Sequence, residues 1–303
     1  MINSDLSKVS FFQNKKIKLL PNIYLNDNYP CCYLVEVEQK YYKIRFPSLF
    51  NKQAIVNEYH ALNMLSVTLA DKIPSIVESN HLSLDYPYIV ETYLPGKSLD
   101  RFTLTEIKQN KDQIINQLLL FMNSIYAITA TGYGQLENPF YNTYSMWIQN
   151  KLSTHIMYHN DINFVSTEIL NNIIRLFNET AIFESEIPHF LHFDIKPQNL
   201  IYDTLSQKLF IIDFEFSRFG DIEHEIFRAK QRALEFPDYI SHILEPVLQQ
   251  FLKCHQIILS EEKIDLFLVY YYLSEITYCI KKNEMVNAQN FLKKLYQKML
   301  EIY

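Results

Sequence analysis

The sequence of 303 residues predicts an α+β fold with a β-rich N-terminal lobe, a mostly helical C-terminal lobe and one hinge near residues 91–97. Two runs of β-branched and aromatic residues, 33–38 and 40–46, flank a short polar turn and predict a β-hairpin. Downstream of the hinge, long segments repeat apolar residues at helical spacing. We place the N-terminal lobe at residues 1–96 and the C-terminal lobe at residues 97–303.

The rest of the N-terminal lobe is predicted to hold one helix and a second pair of strands. Residues 54–70 carry apolar side chains every three or four positions, and Pro74 follows as a stop signal. Residues 81–93 are rich in apolar and aromatic side chains and predict two strands. The turn at residues 94–97 ends this pair.

The C-terminal lobe is predicted to be helical on both sides of one different segment. In that segment, residues 199–202 and 209–212 predict short strands, and a helix follows Asp221. The other helices predicted from apolar periodicity cover residues 111–128, 143–157, 166–177, 244–259, 260–281 and 287–302.

Composition excludes several classes of protein. The chain has only four glycines, which are too scattered for a dinucleotide fingerprint or a Walker A loop. The net charge of −6 comes without a cluster of basic residues, so we do not expect nucleic acid as a partner. A cationic small molecule suits this charge better.

The four cysteines, at positions 31, 32, 254 and 279, fit neither a zinc site nor a disulfide framework by their spacing. The first twenty residues lack the apolar stretch of a signal peptide. No uninterrupted apolar run reaches the ~18 residues that a membrane helix needs. We therefore expect a cytoplasmic protein that does not bind a membrane.

One pattern of polar residues carries the chemistry. His192, Asp194, Lys196 and Asn199 follow one another in a single loop, and Asp213 stands at the end of the next apolar strand. Phosphoryl transfer depends on positioning and charge neutralisation rather than on covalent help from the protein. It needs a carboxylate beside the attacking hydroxyl and oxygen ligands for Mg²⁺. The loop and the strand end offer both.

These two elements resemble the catalytic and metal loops of the kinase-like superfamily. The continuation Asp-Phe-Glu-Phe-Ser at 213–217, followed by Gly-Asp at 220–221, is similar to the aminoglycoside phosphotransferase and choline kinase family. The resemblance covers residues 18–228 and implies a bilobal, protein-kinase-like fold. It also implies that the chain binds ATP and Mg²⁺ and phosphorylates a hydroxyl group of a small molecule.

The resemblance assigns roles to the residues of the pattern. Asp194 is the expected base, and Asn199 and Asp213 are the expected metal ligands. His192 and Lys196 belong to the same catalytic loop, and we expect His192 to brace the loop rather than to touch the substrate.

Two alternative functions are compatible with part of this pattern. The loop around Asp194 is also similar to that of protein kinases, but Glu215 replaces the glycine of Asp-Phe-Gly and no Ala-Pro-Glu sequence follows. An atypical protein kinase is therefore the second hypothesis. A catalytically silent nucleotide-binding module is the third, and the complete set of acidic and amide residues argues against it.

The phosphates of ATP have two candidate cations. Lys43 and Arg45 alternate along one strand, so their side chains face the same side of the sheet. Glu58 lies on the following helix, in the setting of the superfamily's Lys–Glu ion pair. The family's small-molecule members have a sequence similar to that of residues 44–47, which makes Arg45 a rival to Lys43. Both remain candidates.

The segment around the hinge resembles the adenine-binding segment of the family. We expect Thr92, Tyr93 and Leu94 to contact adenine through their backbone. Residues 26–32 occupy the place of the phosphate loop but contain no glycine, so backbone amides approach phosphate less freely there.

The acceptor site is less constrained by the sequence. Phe193 replaces the glycine usual in this family and indicates either a tighter pocket or an aromatic ring packed under the loop. The C-terminal helices offer acids and tyrosines that suit a cationic acceptor, although acids at a helix start also stabilise the helix dipole. These candidates are Glu261, Glu262, Asp265, Glu275, Tyr270, Tyr271 and Tyr272.

Overall fold

A computed structural model describes residues 9–13, 15–20, 32–47, 53–83, 87–179 and 187–303. Within these residues, ten strands form three antiparallel sheets. The strands are β1 (Ile17–Leu19), β2 (Cys32–Val37), β3 (Lys40–Arg45), β4 (Ile76–Ser79), β5 (Ile89–Thr92), β6 (Lys97–Ser98), β7 (His189–Leu191), β8 (Leu200–Asp203), β9 (Lys208–Ile211) and β10 (Arg218–Gly220).

The longer helices lie mostly in the C-terminal part of the chain. They are α1 (Gln53–Leu69), α2 (Leu104–Tyr126), α3 (Tyr144–Ile162), α4 (Thr167–Glu179), α5 (Ile222–Ala233), α6 (Glu245–His255), α7 (Glu261–Lys281) and α8 (Met285–Ile302). A short helical turn at Pro237–Tyr239 continues through a π-helical turn at Ile240–Leu244 into α6.

The predicted N-terminal hairpin is confirmed as the centre of a five-stranded sheet of order β1-β2-β3-β5-β4. Strands β2 and β3 pair from Cys32 with Arg45 to Val37 with Lys40. The two residues between the strands, Glu38 and Gln39, have φ angles of 52° and 64°. Positive φ at both central residues is the geometry of a type I′ turn, whose twist matches that of the strands it joins.

The second strand pair is confirmed, but its first strand was predicted too late in the chain. Strand β4 lies at Ile76–Ser79, immediately after Pro74, and His81 lies in the turn that follows. Only β5 falls within the predicted segment 81–93. The strand was missed because polar Glu78 and Ser79 follow only two apolar residues, so no alternation is visible in the sequence.

The predicted helices are confirmed with shifted ends. The largest shift is in α2, which begins seven residues before the predicted position 111, at Leu104. A capping box fixes this start, because the hydroxyl of Thr103 accepts from the amide of Glu106 and the carboxylate of Glu106 accepts from the amide of Thr103.

Helix α1 connects the N-terminal sheet to the helical part of the molecule. Its buried residues Ala61, Leu62, Leu65 and Leu69 belong to the same apolar core as Leu118 of α2. Glu58 lies on a buried face of this helix and is fully buried. The sheet and α1 are thus held against the part of the chain that carries residues 192–199.

Two small sheets position the polar loops. Strand β7 pairs with β10, and β8 pairs with both β6 and β9. The segment 192–199 runs from β7 to β8, and Asp213 follows β9. Of the predicted phosphate loop, residues 26–31 lie outside the described residues and Cys32 begins β2.

No helix among the described residues is long and apolar enough to cross a lipid bilayer.

Gly96 sits where the N-terminal sheet region meets the helical part, and its backbone has φ = 121°. A Cβ atom there would lie 2.7 Å from the carbonyl oxygen of Tyr202 in β8. We expect Gly96→Ala to lower the free energy of unfolding by about 1–3 kcal/mol, because the conformation is strained for any other residue and the clash is with backbone. Denaturant unfolding followed by circular dichroism measures this loss.

Gly220→Ala is the matched control. A Cβ at Gly220 would approach side chains rather than backbone, Cδ1 of Leu191 at 2.6 Å and Cε2 of Tyr144 at 3.3 Å, and its φ angle is not in the left-handed region. An equal loss of stability in both variants would contradict the special role of the Gly96 backbone.

Candidate active site

The loop after β7 is braced by a buried histidine. The Nε2 atom of His192 lies 3.1 Å from the carbonyl oxygen of Ile212. Its Nδ1 atom lies 3.2 Å from the amide nitrogen of Asp194, which donates to it. Burial lowers the pKa of His192, so the ring is neutral and bonds through both nitrogens. His192 therefore ties the loop to the end of β9, as expected for a brace.

Asp194 is the carboxylate of the loop, and only 1% of its surface is exposed. Its Oδ2 atom accepts from Nδ2 of Asn199 at 2.9 Å and lies 2.6 Å from Nζ of Lys196. Its Oδ1 atom lies 3.5 Å from Nε of Arg232 and accepts no hydrogen bond from the described residues. One oxygen is therefore fixed by the loop, and the other has free lone pairs in a buried position.

Asn199 joins the two loops of the predicted pattern. Its side-chain amide donates to both the backbone oxygen and Oδ2 of Asp194, at 2.9 Å each. Its backbone oxygen accepts from the amide of Ile212 at 3.0 Å, one residue before Asp213. The structure therefore brings Asp194, Asn199 and the start of the Asp-Phe-Glu segment together.

Arg45, rather than Lys43, makes the ion pair with Glu58. Its Nη1 atom lies 3.0 Å from Oε2 of Glu58 and 2.9 Å from Oδ1 of Asp213. Its Nη2 atom lies 3.0 Å from Oε2 of Glu215. One guanidinium thus contacts three carboxylates, two of them on the loop after β9.

Lys43 has a different partner. Its Nζ atom lies 3.7 Å from Oε2 of Glu91, a fully buried residue opposite it on β5. The two candidate cations face the same side of the sheet but reach different acids, because Arg45 is two residues nearer to the loop after β9.

This cluster of charges sets the ionisation of its acids. Burial alone would raise the pKa of Asp213, but Arg45 and Lys43 outweigh it and hold the pKa at about 2. Burial, together with the charge of Asp213, raises the pKa of Glu215 to about 7. Asp213 is therefore ionised at neutral pH and suited to hold a cation.

The three predicted hinge residues differ in whether their backbone amides donate a hydrogen bond within the sheet. The amides of Thr92 and Tyr93 donate to the carbonyl oxygens of Ser75 and Tyr41, at 2.9 and 3.1 Å. The amide of Leu94 donates to no backbone carbonyl among the described residues. Of the three predicted adenine contacts, Leu94 is the one whose amide the sheet leaves available.

Phe193 is packed under the loop. It is 2% exposed and has φ = 65°, a conformation that favours glycine. Its amide donates to Oε2 of Glu225 at 2.7 Å, and Nε of Arg228 donates to its carbonyl at 3.0 Å. The guanidinium carbons of Arg218 and Arg228 lie 4.0 and 4.5 Å from the centre of its ring. These contacts hold the strained residue in place.

Only one of the predicted acceptor-binding acids is linked to Asp194. Glu275 lies 3.2 Å from Nη2 of Arg232, whose Nε faces Asp194. Glu261 and Glu262 are exposed in the first turn of α7, and Asp265 pairs with Lys298 at 2.5 Å.

The tyrosines of the same helix belong largely to the core. Tyr270 and Tyr271 are buried within it, and Tyr272 is half-buried.

Sequence reasoning gave no role to Arg232, Arg228, Arg218 or Glu215, although all four lie at or beside the site. Arg228 and Arg232 are four residues apart on α5, so their side chains share a face of the helix. That spacing was a usable signal, since the helix follows the Asp-Phe-Glu segment directly. Which acid each cation meets depends on the packing of distant segments.

The site suits a metal ion with few protein ligands. Among the described residues, no group of three or more His, Cys, Asp and Glu side chains is arranged to hold a metal. Asp213 supplies one ionised carboxylate, and Asn199, whose amide nitrogen donates to Asp194, would supply its side-chain oxygen as the second ligand. Two oxygen ligands fit Mg²⁺, which keeps several waters and takes further oxygens from phosphates.

Comparison with known proteins agrees with this geometry. The model of the phosphotransferase enzyme family matches residues 32–239 of the chain. No curated protein matches the chain at a significant level.

Several solved structures share the fold. The apo form of a thermostable mutant of aminoglycoside phosphotransferase APH(4)-Ia has a TM-score of 0.69 and 15% identity, over 98% of each chain. A ternary complex of such a mutant with ADP and hygromycin B has a TM-score of 0.68 and 14% identity, over 97% of each chain. A streptomycin–ATP–APH(2")-IIa ternary complex has a TM-score of 0.65 and 15% identity, over 97% of this chain and 95% of that one. The predicted bilobal, protein-kinase-like α+β fold is confirmed.

The buried carboxyl of Glu225 yields a test of the loop's electrostatics. Burial raises its pKa from 4.5 to about 7. Between pH 4.5 and about pH 7, Glu225 is protonated in the folded state but ionised in the unfolded state. Its contribution to the free energy of unfolding of the wild type therefore decreases as the pH rises through this range. We expect the unfolding free energy of Glu225→Gln, minus that of the wild type, to increase from about pH 5 to about pH 7.

Denaturant unfolding at a series of pH values measures this difference. The buried histidines are present in both proteins, so their contributions to the pH dependence cancel. Glu261→Gln, at an exposed carboxyl in α7, serves as the control and should show no such trend. A difference for Glu225→Gln that does not change with pH would contradict the raised pKa.

Proposed function

Because the chain belongs to the phosphotransferase enzyme family, we propose that it transfers the γ-phosphate of ATP to a hydroxyl group of a small molecule. The observation that carries the proposal is the carboxylate of Asp194. One of its oxygens is fixed by Asn199 and Lys196, and the other is buried without a hydrogen-bond donor. A hydroxyl group is the donor that this second oxygen lacks.

In the proposed reaction, Asp194 orients the acceptor and receives its proton. The acceptor oxygen forms a bond to the γ-phosphorus while the bond from that phosphorus to the bridging oxygen of ADP breaks. The proton of the hydroxyl passes to Oδ1 of Asp194. Lys196, 2.6 Å from the other carboxylate oxygen, lies close enough to offset the charge on the transferring group.

The nucleotide side of the proposed site is built around Arg45. Glu58 holds the guanidinium, which in turn contacts Asp213, so a phosphate bound beside Asp213 also meets a cation. Mg²⁺, held by Asp213 and Asn199, would neutralise the phosphate charges. The amide of Leu94 would donate to adenine at the hinge, with the backbone of Thr92 and Tyr93 lining the same segment.

The acceptor is proposed to be a small molecule rather than a protein. Strand β10 begins at Arg218 and helix α5 at Ile222, so the chain returns to the core soon after Asp213. This leaves no room for the activation segment on which protein kinases bind a peptide. Two of the similar structures hold hygromycin B and streptomycin, which are hydroxyl-bearing small molecules.

A cytoplasmic location is part of the proposal. Two of the described cysteines, Cys254 and Cys279, are free thiols, which suits a reducing compartment.

Replacing Asp194 by Asn tests the role of the carboxylate. Asn keeps the shape and the contacts of the side chain but cannot accept the proton. We expect the turnover number to fall by ~10²–10⁴ while the fold and nucleotide binding are retained. Release of ADP in a coupled assay measures turnover, and a thermal shift with ADP measures binding. Full activity in Asp194→Asn would refute this role.

Arg45→Gln and Lys43→Gln form a matched pair that separates the two candidate cations. We expect Arg45→Gln to reduce kcat/KM for ATP by about 10- to 100-fold, because it removes charged hydrogen bonds to the phosphates. Lys43→Gln, whose partner is Glu91, should reduce it by less than about fivefold. Both are measured at a temperature at which each variant is folded. A larger loss in Lys43→Gln would assign the phosphates to Lys43.

A further inference from the structure

The side of Asp194 that faces α5 carries an excess of positive charge. Arg232 lies 3.5 Å from Oδ1 of Asp194, and Arg228 donates to the carbonyl oxygen of the preceding residue, Phe193. Arg218, on β10, lies over the phenyl ring of Phe193. The guanidinium groups of Arg218 and Arg228 thus meet at Phe193, the residue before Asp194, and that of Arg232 lies beside the Asp194 carboxylate itself.

Two of these cations lack a carboxylate partner. Arg228 is 7% exposed, and its only hydrogen bond to the described residues runs from Nε to Phe193. Arg218 is half-buried, and its Nε donates to the carbonyl of Phe216 at 2.9 Å. Within the described parts of the chain, neither lies within 4.0 Å of a carboxylate oxygen. The terminal nitrogens of both thus have donors to offer in a position where unpaired charge is costly.

The nearby acids do not balance these charges. Glu225 accepts from the amide of Phe193, and Glu275 pairs with Arg232. Lys151 adds a further cation, one turn beyond Trp147, whose ring centre lies 5.1 Å from the guanidinium carbon of Arg218. With Asp194 counted, four cations therefore face three carboxylates here, in a chain whose net charge is −6.

We propose that the acceptor carries an anionic group, a carboxylate or a phosphate, which Arg218 and Arg228 bind while its hydroxyl meets Asp194. The proposal deepens the proposed function and rests on it. Planar guanidinium groups bind carboxylate and phosphate through paired hydrogen bonds, and these bonds strengthen in a buried site. A polycationic acceptor would instead be repelled by the arginines.

The first experiment compares acceptors that differ only in charge. ADP release with ATP and Mg²⁺ is measured for glucose, its uronic acid, its phosphate monoester and its amino sugar. The same is done for glycerol, glycerate, glycerol phosphate and aminopropanediol, with kanamycin and hygromycin B as polycations. Mass spectrometry identifies the phosphorylated product, and the carboxylate and phosphate members of each series show which of the two anions is preferred.

We expect kcat/KM for the anionic members to exceed that for the amino members by at least about tenfold. Equal rates across a series, or a preference for the amino members or the aminoglycosides, would overturn the proposal while leaving the proposed function intact. Absence of any acceptor-dependent ADP release would instead contradict the proposed function, and the inference would fall with it.

The second experiment tests the residues with the best acceptor from the first. Arg218→Gln should raise KM for an anionic acceptor by about 10- to 100-fold, with KM for ATP and for the neutral member of the series little changed. Lys230→Gln removes the same charge from an exposed position on α5 and should change neither. An equal rise in KM for neutral and anionic acceptors would show that Arg218 only supports the packing of Phe193, and would contradict the proposal.

Discussion

One guanidinium group connects the N-terminal sheet to the loop that follows β9. Arg45 extends from β3 to Glu58 on α1 and to Asp213 and Glu215, all at 2.9 to 3.0 Å. Burial raises the pKa of the fully buried Glu58 well above its usual value, and the charge of Arg45 opposes this shift, so Arg45 is the cation that favours the ionised form of this acid. Arg45 therefore links the positions of the sheet, of α1 and of the Asp-Phe-Glu segment, and Asn57 of α1 adds a hydrogen bond to the backbone oxygen of Glu215 at 3.0 Å.

The loop of residues 192–199 is organised from the other side by hydrogen bonds. His192 bonds both to the amide of Asp194 and to the end of β9, and Asn199 bonds to Asp194 and to Ile212. All of these contacts lie within one segment of the chain, residues 192–212. This is why the pattern of five polar residues could be recognised in the sequence, and why the structure brings the loop and Asp213 together as predicted.

The choice between Lys43 and Arg45 could not be made from the sequence. The two residues face the same side of β3, and only the packing of α1 and of the loop after β9 decides which acid each one meets. The position of β4 was missed for a local reason, since its short apolar segment shows no alternation. The cations around Phe193 come from β10, α3 and α5. Because these segments are far apart in the sequence, the spacing of residues along the chain gives little indication that they meet.

The net charge of the chain and the local charge around Asp194 favour different acceptors. The value of −6 favoured a cationic molecule, yet two of the four acids considered, Glu261 and Glu262, are exposed at the start of α7. Local charge matters more than the total, because fields are screened over about 10 Å in solution but act strongly in a buried cleft. The surroundings of Asp194 are richer in arginine than the composition suggests.

The most direct test of the account follows the phosphate itself. ATP that carries an isotopic label in its γ-phosphate is incubated with the protein, Mg²⁺ and the acceptor panel, and the label is located by mass spectrometry. The account predicts that the label appears on a hydroxyl oxygen of a small molecule in amounts that match the ADP formed. Label found only in inorganic phosphate, or on a polypeptide, would contradict it.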